Sequence, residues 1–251
     1  MVGEGMRVQS RGNRNVFYPA LALAIAATAF VGFAITYLGP LAAGQYPAVS
    51  WAVHAHGIVY LLWCAFLPVQ ASLAPRAFAV HRILGLSSVA LATAMVFTGF
   101  LVLGVQVRNT LLGEGPAFWK AFGLPIAAGL VSFLGLYVGA LLNRQRPDWH
   151  RRLMISAAAT VIAAGTWRLW TWAFGMQDWA MPAALASTKF FIVAGIIHDL
   201  IKRRAVHPAW WVGLGVSSAL EGASLALAGT PLEMPLLRAI ASFADVFGWM
   251  Y

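Results

Sequence analysis

Hydrophobic positions along this chain fall in long unbroken runs rather than in stripes. The runs occupy residues 17–38, 51–72, 83–105, 118–142, 153–174, 181–201 and 209–229, and each is apolar on every face. A helix at the surface of a soluble protein keeps a polar face, and a barrel strand alternates every second residue. Neither pattern is present. About 20 apolar residues in a helix cross the ~30 Å hydrocarbon layer of a bilayer, where every backbone polar group must find its partner inside the helix. The pattern therefore predicts an all-α polytopic membrane helix bundle of about seven transmembrane helices. Pro40, Pro47, Pro75, Pro147, Pro182 and Pro208 stand at or near the run ends, where proline stops a helix rather than kinking it.

Two segments flank the bundle of residues 17–229. Residues 1–16 are polar and lead into an apolar run long enough to span, so that run is predicted to stay as a first helix rather than to be cleaved. Residues 230–251 are too short an apolar stretch to span. They place Leu236, Leu237, Ile240, Phe243, Phe247 and Met250 on one helical stripe, which predicts a C-terminal helix lying in the membrane interface. No internal repeat is visible.

Composition agrees with the pattern. The chain of 251 residues is 61% hydrophobic and 10% charged, against about 25% charged in a soluble domain. Cys64 is the only cysteine, which excludes a disulfide framework and a cysteine metal cluster. The formal net charge of +9 suggests nucleic acid until its distribution is read. Arg7, Arg11, Arg14, Arg76, Arg82, Arg144, Arg146, Arg151, Arg152, Lys202, Arg203 and Arg204 fall on the N-terminal side of the bundle, and Arg108, Lys120 and Arg238 on the other. Such an asymmetry predicts a cytoplasmic N-terminus in a bacterial inner membrane. Basic loops also suit anionic lipid, so the bilayer is the expected partner and nucleic acid is not required.

Ionisable groups at membrane depth are costly and point to function unless they merely hold helices together. His81 opens the third run, His150 opens the fifth and His198 lies near the end of the sixth, all within about a turn of the basic side. Each has a charged neighbour in Arg82, Arg151 or Asp199. Three imidazoles at one depth suit a divalent metal, or axial ligation of haem iron, with Asp199 fixing a tautomer. The alternative is three interfacial side chains bonded to loops and headgroups. Gly85, Ser88, Ala92 and Gly99 follow His81 as a stripe of small residues that admits a close helix or a flat macrocycle. The opposite half holds His54, His56, Arg168, Lys189 and Glu221. Lys189 and Glu221 lie at matched depth on consecutive helices, which predicts an ion pair. His150 and Arg168 are 18 residues apart, five whole turns, and are expected to point the same way.

Taken together, His56-Gly57, Leu67-Pro68-Val69-Gln70, His81-Arg82-Ile83-Leu84-Gly85 and His150-Arg151-Arg152-Leu153-Met154 followed by Arg168 resemble a bacterial multi-span membrane-protein family of unknown function. The resemblance covers about residues 50 to 175. A more distant similarity is to transmembrane b-type cytochromes, which bind haem between helices through paired histidines. It implies that His81 and His150 ligate one haem, and it implies no second haem, because His54 and His56 share a helix. Three functions are therefore expected to compete: a haem or metal redox protein with a redox partner, a transporter or channel using Arg168, Lys189 and Glu221, and an accessory subunit of a larger membrane complex.

Overall fold

The computed structural model describes residues 16–250, so Arg7, Arg11 and Arg14 and the rest of residues 1–15 lie outside the described residues. All the regular structure among the described residues is helical: α1 (Phe17–Phe33), a wide π turn (Ala34–Leu38), α2 (Gly39–Ala42), α3 (Trp51–Leu73), α4 (Phe78–Leu111), α5 (Phe118–Leu142), α6 (Pro147–Thr160), α7 (Ala163–Phe174), α8 (Ala180–Arg203), α9 (Pro208–Ala226) and α10 (Glu233–Val246). Five helical segments are long and apolar enough to cross a membrane, and a sixth span results if α6 and α7 are taken as one. This is a multi-pass membrane bundle. The apolar run at 209–229 forms α9, which is not among those five, because Ser217, Ser218, Glu221 and Ser224 dilute its apolar face. It nevertheless packs inside the bundle against α5, α6 and α8.

Side-chain contacts show that alternate helix ends meet at one face. Tyr18 at the start of α1 lies under Arg151 of α6, the end of α3 meets the start of α4 through Gln70 and His81, and the end of α5 meets the start of α6 through Ala140 and His150. The end of α8 meets α6 and the start of α9 through Asp199. Arg76, Arg82, Arg144, Arg146, Lys202, Arg203 and Arg204 all lie exposed at this face, called here the basic end.

Small residues set the helix spacing. A Cβ on Gly32 would stand 2.6 Å from the Gly165 carbonyl oxygen, so α1 and α7 cross backbone to backbone. The stripe on α4 is largely used the same way. Ser88 bonds to the Tyr137 hydroxyl at 2.7 Å, and a Cβ on Gly99 would press Leu130 at 3.0 Å. Within that stripe Gly85 is the least crowded, a Cβ there meeting only the Gln70 side chain at 3.9 Å.

Three features depart from the pattern of apolar runs. The fifth run is broken: α6 and α7 meet at 46°, so His150 and Arg168 lie on two helices rather than on one straight helix of five turns. The third run is longer than its apolar part. At 34 residues and 1.5 Å per residue, α4 extends roughly 50 Å, beyond the hydrocarbon layer. The C-terminal stripe covers that extension. Leu237 and Ala241 of α10 are buried with Leu103, Val107 and Leu124, and Phe243 and Phe247 close on Phe97.

The α8–α9 turn carries a pH-sensitive cap. His207 Nδ1 accepts from the Ala209 backbone N–H at 3.2 Å, capping α9. Burial first, and then the nearby Arg152 charge, lower the His207 pKa below its ordinary value. A depressed histidine favours the neutral folded form, so this stability is present above the unfolded pKa of about 6.5 and is lost as pH falls through the lower folded value. Protection of the amides at the start of α9, taken relative to their intrinsic exchange rate at each pH, is expected to fall below about pH 6.5. His207→Asn, a cap that does not titrate, should remove that pH dependence, and an unchanged profile in His207→Asn would refute the assignment.

Candidate functional site

The basic end is organised by a fully buried ion pair. Arg152 and Asp199 are each 0% exposed. Arg152 Nε donates to Asp199 Oδ2 at 3.0 Å and its Nη2 donates to Oδ1 at 2.7 Å, a two-point fork. Its Nη1 donates to both the carbonyl and the carboxylate of Asp148, each at 2.9 Å. Asp148 also accepts from Arg151 and Arg203, and Asp199 Oδ2 accepts the His207 backbone N–H at 3.2 Å. Sequence position groups Arg152 with the loop cations, whereas it is the innermost charge of this end. Asp199, the expected support for a histidine, is the counter-ion of Arg152 and also stands 3.8 Å from His198 Nδ1.

Two of the three histidines come together above this lock. The His81 and His150 rings lie 6.3 Å apart, centroid to centroid, nearly perpendicular at 83°. His150 Nδ1 is 2.8 Å from the Ala140 carbonyl, to which it donates, leaving its Nε2 lone pair free. His81 Nδ1 is 3.2 Å from the Gln70 carbonyl. The Gln70 side-chain amide also reaches His81. With its oxygen accepting from Gly85 N–H at 2.9 Å, its nitrogen donates to His81 Nδ1 at 2.7 Å, which puts the ring proton on Nε2. Ligation through Nε2 selects the opposite amide orientation, in which the Gln70 oxygen accepts Nδ1–H. His198 takes another place. It stacks on Phe17 at 3.8 Å, and its buried Nδ1 has no hydrogen-bond partner among the described residues, standing 3.8 Å from Asp199 Oδ1. Among the described residues no three His, Cys, Asp or Glu side chains converge as a metal site. The expected trio therefore resolves into a pair and a separate stacked ring.

The other half of the membrane holds two separate groups. Lys189 Nζ donates to Glu221 Oε2 at 2.8 Å, the pair their matched depth predicts, tying α8 to α9. Arg168 on α7 pairs with no Asp or Glu among the described residues. Its guanidinium sits over the Phe33 ring at 4.0 Å, and Nη1 donates to the Ala164 carbonyl at 2.8 Å. His56 on α3 bonds to Thr98 of α4 at 3.0 Å, and Tyr60 donates to the Val161 carbonyl at the α6–α7 break.

A scan of protein-family models finds none that matches this chain, and searches among curated proteins and solved structures find no match.

Proposed function

We propose that this chain is a haem-binding electron-transfer protein of the bacterial cytoplasmic membrane, with seven spans, a cytoplasmic N-terminus and His81 and His150 as the residues that would hold the haem. The observation that supports it is the pair itself: two imidazoles from α4 and α6, 6.3 Å apart. The number of ligands favours haem over a bare divalent ion. A closed structural ion needs about four protein ligands, and only two histidines meet here, whereas haem iron takes two or fewer from the protein.

A bound b-type haem supplies a one-electron couple. The chain supplies position. The Ala140 carbonyl fixes His150 in the tautomer that ligates, and Gln70 does so for His81 once its amide turns. The Arg152–Asp199 pair holds the start of α6, and with it His150, against α8. The small stripe below His81 is mostly taken by α5, so a flat group meets least crowding beside Gly85. The distant similarity of the bundle to transmembrane b-type cytochromes, which also carry histidines near helix ends, points the same way. The concentration of exposed arginine and lysine at this end supports its cytoplasmic placement. The packing of one face of α9 against α5, α6 and α8, with Trp211, Val212, Leu220 and Leu225 exposed on the rest, supports a seventh crossing.

The test is an absorption spectrum of protein purified in mild detergent from haem-replete cells, oxidised and then dithionite-reduced. A Soret band with one iron per chain is expected, lost in His81→Ala and in His150→Ala and retained in His198→Ala. A colourless, iron-free preparation would overturn the reading and leave transport or an accessory role in a membrane complex.

A further inference from the structure

Arg168 is a cation within the membrane with its hydrogen-bonding capacity largely unspent. Of its three nitrogens only Nη1 has an acceptor among the described residues, the Ala164 carbonyl. Nε is buried without any partner there. Nε and Nη2 together form the side edge of the guanidinium, the edge that grips both oxygens of a carboxylate. Elsewhere in this chain Arg152 uses that same edge on Asp199. An unpaired charge at this depth is costly, and the Phe33 face offsets only part of that cost.

The surroundings of Arg168 are the aromatic edge of the core, in which Phe33, Tyr37 and Tyr60 are buried together. The π turn at Ala34–Leu38 packs against α7; such turns widen a helix locally and recur at functional sites. It carries Tyr37, whose hydroxyl bonds to His54 Nδ1 at 2.7 Å. Tyr46, from the loop before α3, closes on Tyr37 at 5.0 Å and lies with Tyr60 within electrostatic reach of Arg168. His56 is also within reach of that charge. Arg168 is six residues from the end of α7, or about 9 Å, and its bond to the Ala164 carbonyl turns the guanidinium one turn back toward the α6–α7 break.

We infer that Arg168 binds a small carboxylate in a two-point fork through Nε and Nη2. The ligand supplies the negative charge that no acidic side chain among the described residues provides. The Phe33 ring holds the guanidinium plane. This assignment is independent of the haem at the other end and survives its failure.

The probe is sodium acetate, titrated against sodium chloride at equal ionic strength and pH into detergent-solubilised protein. Tryptophan fluorescence reports binding, because the Trp167 ring lies 5.9 Å from the Arg168 guanidinium. Acetate should give a saturable change and chloride should not. Arg168→Lys keeps the charge but loses the fork, and should weaken acetate at least ~ten-fold, as expected when a two-point carboxylate grip becomes a point charge; Arg168→Gln should abolish saturation. Acetate should also protect Arg168 of the unaltered protein from phenylglyoxal, read peptide by peptide in a mass spectrometer, a measurement that needs no variant to fold. An equal response to chloride, undiminished binding in Arg168→Gln, or no protection of Arg168 would overturn the site.

Discussion

Arg152→Met is expected to destabilise the folded bundle by about 3–5 kcal/mol, the cost of breaking a buried pair from one side. Asp199 would remain at 0% exposure with a carboxylate facing no cation, keeping only the His207 N–H. Asp199→Leu should cost less, since the guanidinium loses the fork through Nε and Nη2 but keeps Asp148 through Nη1. The double variant Arg152→Met, Asp199→Leu should recover most of the loss, because two apolar side chains of similar size carry no desolvation penalty. Arg152→Lys should behave like a loss rather than a conservative change, since one ammonium cannot reproduce a fork that reaches Asp199 and Asp148 together. Melting in detergent, followed by helical circular dichroism, checks all four. Additive loss in the double variant would show that the two side chains do not act as a pair.

Gly195→Ala is expected to be the most damaging single added methyl in the bundle. Its Cβ would fall inside the van der Waals envelope of the Trp210 indole, and Trp210 is 0% exposed, so the ring has no direction in which to yield. Overpacking commonly costs about 1–3 kcal/mol, and backbone-close contact with a locked aromatic belongs at or above the upper end. The strain would separate α8 from α9 and with it loosen the Lys189–Glu221 pair. Trp210→Leu alone opens a cavity, yet it removes the obstacle, so the combination with Gly195→Ala should melt well above the sum of the two losses. Strict additivity would show that the glycine is not set by the tryptophan.

Some of this arrangement is legible in the order of residues alone. Lys189 and Glu221 can be paired from depth, because two helices joined by a short loop leave few other partners for opposite charges in an apolar medium. The approach of His81 to His150 follows from two histidines that each open a helix at the basic side. Arg152 cannot be singled out in this way. In His150-Arg151-Arg152 two identical residues stand side by side, and which one turns inward depends on the rotational phase of α6 and on Asp199, 47 positions away. The broken fifth span also lacks a signal. Thr160, Val161 and Ile162 contain neither proline nor glycine, and the bend reflects the close crossing of Gly32 and Gly165 and the Tyr60 hydroxyl taking the Val161 carbonyl.

Residue order thus suffices to establish a bundle of membrane helices with its cations concentrated at one end, since long apolar runs have one stable environment and charge asymmetry is counted along the chain. Which of the polar groups meet is settled only in three dimensions. There Arg152 finds Asp199, His198 stands apart from the other two histidines, and Arg168 has no acidic counter-ion among the described residues. The physical reason is that burial and partnership of a charge depend on neighbours brought in by other helices, and no local spacing encodes the rotation and tilt that bring them there.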